Sequence, residues 1–421
     1  MRKIAAPVIV FLISWFFQSC LKDKIEKTYW VYEPVYKTKS EVLSEIKSST
    51  PSAIKNPGKI YFYGNYIFLN EVNKGIHIID NSNPSSPVIK AFINVPGNVD
   101  IAVRGNTLYA DLFTDMVVID IANPLNATLK KVIPRVFPER VYANGTFVAD
   151  SNKVIVDWVE RKITERIDAT PPVTNRWLRS DVMLLSSATV SGASSAASAP
   201  TVGIAGSMSR FTIINDYMYA VNRSTLNIFN ISNTNDPLLA SQMQAGWDIE
   251  TIYPFKDRLF LGASAGMFIY NISNPTAPVR EGTGMFAHAR ACDPVVADDN
   301  YAYITLRAGS FCAGTNNELD IVNVQDLSHP MLTKTYGMTN PFGLAKDGNL
   351  LFICDGRDGL KIYNAADVNN LRLIKKINNL ETYDVIAWNK KLMLVAKEGL
   401  YQFDYSNSSN IFQLSKITVG K

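Results

Sequence analysis

The sequence predicts an all-β chain, a β-propeller of seven or eight four-stranded blades, with eight repeat units counted and one of them degenerate. Three observations carry this. A strand that ends on Asp or Asn recurs about every forty residues. A turn followed by another apolar strand precedes it. A short Ser-Asn-Pro-like turn follows it and leads into a further strand.

The clearest element is the third strand of each unit with its turn. Copies are "IHIIDNSNPSSPV" (76–88), "VVIDIANPLNATL" (117–129), "LNIFNISNTNDPLL" (226–239), "MFIYNISNPTAPV" (267–279), "LDIVNVQDLSHPML" (319–332), "LKIYNAADVNNLRL" (360–373) and "LYQFDYSNSSNIFQL" (400–414). The period markers are Asp80, Asp120, Asn230, Asn271, Asn323, Asn364 and Asp404, spaced 40, 110, 41, 52, 41 and 40 residues apart. The second strand lies upstream, as in "GNYIFLN" (64–70), "GNTLYAD" (105–111) and "DNYAYIT" (299–305), a turn followed by Leu, Tyr, Phe and Ile. Short apolar runs such as "VDIAV" (99–103) supply the first strand, and runs such as "VIKAFI" (88–93) the fourth.

The gap of 110 contains a worn copy, "NGTFVADSNKVIVDWV" (144–159), with Asp157 in the marker position. This makes eight units. The remaining excess falls in 168–206, which includes the low-complexity "SSATVSGASSAASAP" (186–200) and is expected to be a flexible insertion, because such composition cannot bury a core.

The first nineteen residues read as a lipoprotein signal peptide. Arg2 and Lys3 precede fourteen unbroken apolar residues, Ile4 to Phe17, and Ser19-Cys20 closes the segment. A small residue before Cys resembles a lipobox, which would make Cys20 the lipidated first residue of the mature chain. Phe17 and Gln18 depart from the usual Leu-Ala. Residues 20–57 read as a tether with a short helix in 38–49, and 58–421 as the propeller. Without Arg2 and Lys3 the chain carries 40 basic against 38 acidic residues, too balanced for a nucleic-acid partner.

The "VVID" and "VIVD" strands and the Ser-Asn-Pro turns, together with the lipobox, resemble LVIVD-repeat β-propeller lipoproteins of the bacterial cell envelope, over roughly residues 58–421. The resemblance implies a fold and a location, with the outer membrane as the expected site. It implies no reaction.

Loop lengths separate two faces. The turns between first and second strands and between third and fourth strands are short and uniform. The other loops vary, notably "RAGSFCAGTNNE" (307–318) and 168–206. Variable loops on a rigid scaffold concentrate binding, so this side is the candidate binding face. Counting back from the second strands places Lys59, Asp100, Arg210, Asp293 and Asp384 in equivalent positions around the channel mouth, with Phe342 and Thr251 filling two others. Two readings stay open: a ring that receives a polar ligand, and charges that pair with one another.

Three cysteines remain. Cys292 starts a first strand and Cys312 lies in the loop beyond the adjacent second strand, so a Cys292–Cys312 bridge is expected. Closing about twenty residues contributes on the order of 3 kcal/mol. Cys354 ends the strand "LLFIC" and reads as core. No metal or cofactor is expected: "HARAC" has no CxxC or HExxH around it, His77, His288 and His329 fall in different units, and "DGRDG" (355–359) has the character of a tight turn. No phosphate-binding loop or nucleophile elbow is present.

The expected function is therefore a binding scaffold for an envelope protein or glycan, monomeric and held at the membrane by its N-terminal lipid, without enzymatic activity. The alternative is a propeller enzyme acting on glycan or peptide at the channel mouth, with Asp100, Asp293, Asp384 or Glu250 as acid and base.

Overall fold

Each repeat unit folds as an antiparallel sheet because apolar side chains alternate about tight turns rich in Gly, Asn and Asp. The computed structural model describes residues 24–137, 152–168, 188–189, 204–288, 294–309 and 314–420. These fall in two compact units.

The smaller, whose described residues are 24–35 and 157–168, contributes to a two-stranded sheet of Lys24–Thr38 and Lys153–Asp168. In it Glu33 pairs with Arg161 at 2.6 Å, Thr28 with Thr164 at 3.0 Å, and Lys162 lies over the Trp30 ring.

The larger holds the repeats. The first is Pro57–Tyr63, Tyr66–Glu71, Gly75–Asp80 and Val88–Asn94; the second is Ile101–Arg104, Thr107–Leu112, Asp115–Asp120 and Thr128–Ile133. The third and fourth share one six-stranded sheet. Tyr217–Asn230 serves as second and third strands of the third repeat. Leu238–Phe255 is its outer strand and then the inner strand of the fourth. Positive φ at Arg223 (49°) and Asp248 (46°) marks where each long strand bends. Arg258–Ala263, Gly266–Asn271 and Val279–Ala287 complete the fourth. The fifth begins at Val295–Ala297, the sixth at Leu344–Asp347 and the seventh at Thr382–Trp388, each with four strands. The first strands touch in sequence order, and the seventh touches the first, so seven repeats close a ring.

Of the two counts the sequence left open, the described residues supply seven. The worn copy is no eighth member between the second and third repeats. Its described part, from Asn152 onward, pairs with Lys24–Thr38, and the inner strands of the second and third repeats contact each other directly. Residues 138–151 lie outside the described region.

From Lys24 on, the segment expected to be a tether is structured. Thr38 and Glu41 form a capping box that starts the helix Lys39–Glu45. Val42 and Ile46 are buried in the core of the first two repeats, and Ser48–Ser49 pairs with Phe92 and Ile93, covering an outer sheet edge. These apolar residues draw the segment onto the ring.

The period marker has one role in all seven repeats. Its side-chain oxygen accepts the amide two residues on: Ser82, Ala122, Ser232, Ser273, Gln325, Ala366 and Ser406 donate at 2.8–3.0 Å. The Asn or Asp three residues after each marker accepts in the same way. The amide just after each marker donates to the turn between the first and second strands, as Ile272 does to Asp257 at 2.9 Å. Both sets of short turns therefore lie on one face, as their lengths predicted. Neighbouring repeats are tied by tyrosines, as from Tyr109 Oη to Thr234 O at 2.8 Å. The seventh is tied to the first by Gln402 Nε2, which donates to Asn81 Oδ1 at 2.8 Å.

Candidate functional site: the axial charge cluster and the loop face

The predicted ring residues enter through the first strands, or just before them. Lys59 Nζ lies 3.0 Å from Asp100 Oδ2, and both side chains are buried. Asp100 Oδ1 also accepts the Ile101 amide at 2.9 Å and the Ser209 hydroxyl at 3.2 Å, and Oδ2 accepts the Arg210 amide. The Arg210 guanidinium reaches Asp111 Oδ2 at 2.6 Å and lies over the Phe137 ring. Asp111 Oδ1 in turn accepts from the amides of Val99 and Asp100 and from Asn98 Nδ2, at 2.8–2.9 Å. Burial pushes the Lys59 ammonium below its usual range and nearby Arg210 adds to this, while Asp100 opposes it.

Thr251 Oγ1 accepts the Gly262 amide at 2.9 Å. Asp384 is 0% exposed. Its Oδ1 accepts the Val385 amide at 2.9 Å, whereas Oδ2 has no hydrogen-bond partner, although the Ser207 amide is near enough to favour the charged form. Burial raises the Asp384 carboxyl to about 7, with Val385 and Lys59 acting against burial and Asp100 with it. Asp293, Cys292 and Cys312 lie outside the described residues, as do Cys20 and the signal peptide.

The centre of the ring is occupied by the chain itself. Ile204–Ala205 pairs with Tyr61 and Phe62 of the first repeat. Ser207–Met208 pairs with Ala188–Thr189 and touches the inner strands of the fourth, fifth and seventh repeats. The Leu344 amide donates to Ser207 Oγ, and the Ile252 amide to Ser209 O at 3.1 Å. Of the charges expected at the channel mouth, Lys59 and Asp100 are thus buried and paired with each other, Arg210 is paired with Asp111, and Asp384 is buried without an ion pair.

At the inner end of the variable loops, Arg307 lies 4.1 Å from the centroid of the Phe342 ring, and Phe342 meets Tyr383 edge-on at 5.4 Å. Among the described residues the Arg307 guanidinium makes no hydrogen bond or ion pair. Burial lowers its pKa, and the charge of Glu250 opposes this. The Tyr383 hydroxyl likewise has no hydrogen-bond partner, and its pKa is pushed up to about 12, chiefly by burial.

"DGRDG" is the tight turn its composition predicts. Gly356 and Gly359 have φ of 56° and 84°, and a Cβ on Gly359 would lie 2.0 Å from Ile377 O. Its acids are consumed: Asp355 accepts the Thr339 and Asn340 amides, and Lys361 and Lys376 pair with Asp358. His77 is buried against Glu71 at 2.9 Å, and His329 is exposed in a turn beside Asp326. Among the described residues no cluster of His, Cys, Asp or Glu could hold a metal ion, and no helix is long and apolar enough to cross a membrane.

Sequence reasoning missed Asp111, Gly206, Ser207, Ser209 and Arg307. Asp111 had a signal, since it is the one acid at the end of the second-strand motifs, where Val221, Gly262, Ile353 and Val395 stand in other repeats. Gly206 to Ser209 follow a low-complexity run and carry no periodic mark.

A family model for the LVIVD repeat matches residues 57–95, 97–133 and 289–338. These are the first, second and fifth repeats. None of the curated proteins matches the chain. Among solved structures, the computationally designed protein Ika8 is 9% identical with a TM-score of 0.48, the match covering 88% of this chain and 91% of that one. BamB from Moraxella catarrhalis is 8% identical with a TM-score of 0.47, over 88% and 97%. PorZ, described as an essential bacterial surface component of the type-IX secretion system of Porphyromonas gingivalis, is 12% identical with a TM-score of 0.48, over 89% of this chain and 40% of PorZ. At these scores the likenesses carry no argument about function.

Proposed function

We propose that this LVIVD-repeat propeller is a binding scaffold of the cell envelope, anchored through lipid on Cys20, that holds a protein or glycan ligand on its variable-loop face. The observation that carries the reading is the contrast between axis and loops. Lys59, Asp100, Arg210 and Asp111 are consumed by one another, whereas Arg307 and Tyr383 beside the loops keep unused donors. A guanidinium stacked on an aromatic ring leaves its in-plane N–H groups free for an external acceptor. Against an enzyme at the channel mouth stands the enclosure of Asp100 and Asp384, since a general acid or base must reach the substrate.

The test is affinity capture from the protein's own envelope extract with the full chain, its R307A variant and a turn-face control, S82A. A specific protein or glycan captured by the full chain and S82A, and lost with R307A, supports the reading. Equal capture by all three, or none by any, contradicts it. Fractionation of C20S tests the anchor separately: the variant is expected in the soluble fraction and the parent in the membrane.

A further inference from the structure

We propose that Ile204–Ser209 is a removable plug in the axis of the ring, and that its seating depends on the charge of Asp384. The segment supplies none of the four strands of any repeat, yet it adds Ile204–Ala205 to the inner edge of the first repeat's sheet and reaches the inner strands of the fourth, fifth and seventh. At Gly206 its backbone packs closely on the Asp384 carboxyl. A Cβ on Gly206 would stand 2.3 Å from Oδ2, and one on Gly343 2.5 Å from Oδ1. Two glycines therefore box in a fully buried acid whose Oδ2 accepts no hydrogen bond.

The groups facing Asp384 are Lys59 from the first repeat, Asp100 from the lead-in to the second and Cys354 from the sixth, with Arg210 and Asp111 behind Lys59. The one cation among those facing it, Lys59, is already paired with Asp100. A neutral Asp384 carboxyl sits in this box without a counter-charge. Once ionised, it adds a second negative charge beside Asp100 and holds it out of reach of water with only the Val385 and Ser207 amides near it, which is costly. Burial brings that ionisation close to neutral pH. The contact that yields most readily is the one held by a pairing of only two residues, Ile204–Ala205 on Tyr61 and Phe62. Withdrawal of Ile204–Ser209 hydrates Asp384 and opens the axis, leaving the ring intact. This inference is independent of what the loop face binds, because no ligand enters its test.

The test is hydrogen exchange on the full chain at pH 6 and pH 8, corrected for the pH dependence of intrinsic exchange. With a carboxyl titrating near 7 and the plug released with it, protection of residues 204–210 is expected to fall about tenfold across this interval. Peptides covering Leu350–Cys354 should keep theirs. In D384N the plug should be protected equally at both values. In G206A it should be open at both, with the ring peptides still protected. Unchanged protection of the plug in the parent protein, the same loss in D384N, or a loss shared by the ring peptides would overturn the proposal. If G206A does not fold, the parent and D384N still decide.

Discussion

Around the turn layer the same hydrogen bonds recur in every repeat, whereas at the axis the described repeats contribute groups of different charge and polarity. Seven markers, all Asp or Asn, each accept the amide two residues on. One side chain thereby fixes the local path of the backbone, and the solution can be copied unchanged. At the axis the copies face one another. Seven identical charges there would repel, so the cluster is mixed: Lys59, Asp100, Arg210 and Asp384, with Thr251 and Phe342 in the matching places of other repeats. Repetition suits contacts made within a repeat. Contacts between different repeats require difference, and Asp384, a buried acid without an ion pair, is where a change of state is cheapest.

Substitutions at the two sites should separate them. The largest effect is expected from D111A, which leaves the Arg210 guanidinium, the amides of Val99 and Asp100 and the Asn98 side chain without their acceptor. Removing one partner of such a buried pair costs about 3–5 kcal/mol, read from urea denaturation. A loss under 1 kcal/mol would mean that the axis is wetter than its burial indicates.

Next is D384N, whose effect depends on pH. The carboxyl is raised to about 7 in the folded protein, so its contribution is full below its unfolded value near 4 and lost as pH rises through 7. The variant should therefore gain on the parent by roughly 2 kcal/mol between pH 5 and 7, at about 1.4 kcal/mol per unit. Parallel stability curves would show that burial does not control this acid.

The smallest effect belongs to the turn layer. N271A removes one acceptor from an exposed turn, with an expected cost of about 1 kcal/mol and no dependence on pH between 5 and 8. Paired thermal melts at the two ends of that range would reveal any coupling to the axis.

The same contrast explains what could be read in advance. The repeats were legible because Asp80, Asn271 and the other markers recur with the period of the fold, and the worn copy at 144–159 misled because its sequence imitates that period. The axis was only half legible. Counting back from the strands located Lys59, Asp100, Arg210 and Asp384. It did not reveal that Asp100 and Arg210 are joined through Ser209 and Asp111, or that Gly206 is needed beside Asp384, since these links connect residues about 100 or more apart in the chain. Lys24–Thr38 was missed for a different reason. Its flanking lysines and Pro34 resemble a linker, and its partner strand lies far along the chain.

The central claim is that the axis of the ring is closed by the chain itself, and thiol labelling tests it most directly. S207C and S82C place one thiol in the plug and one in an exposed turn, and peptide mapping after brief maleimide treatment at pH 6 distinguishes each from the native cysteines. With the axis closed, the S82C thiol is modified promptly and the S207C thiol only after denaturation. Equally fast labelling of both in the folded protein would contradict it.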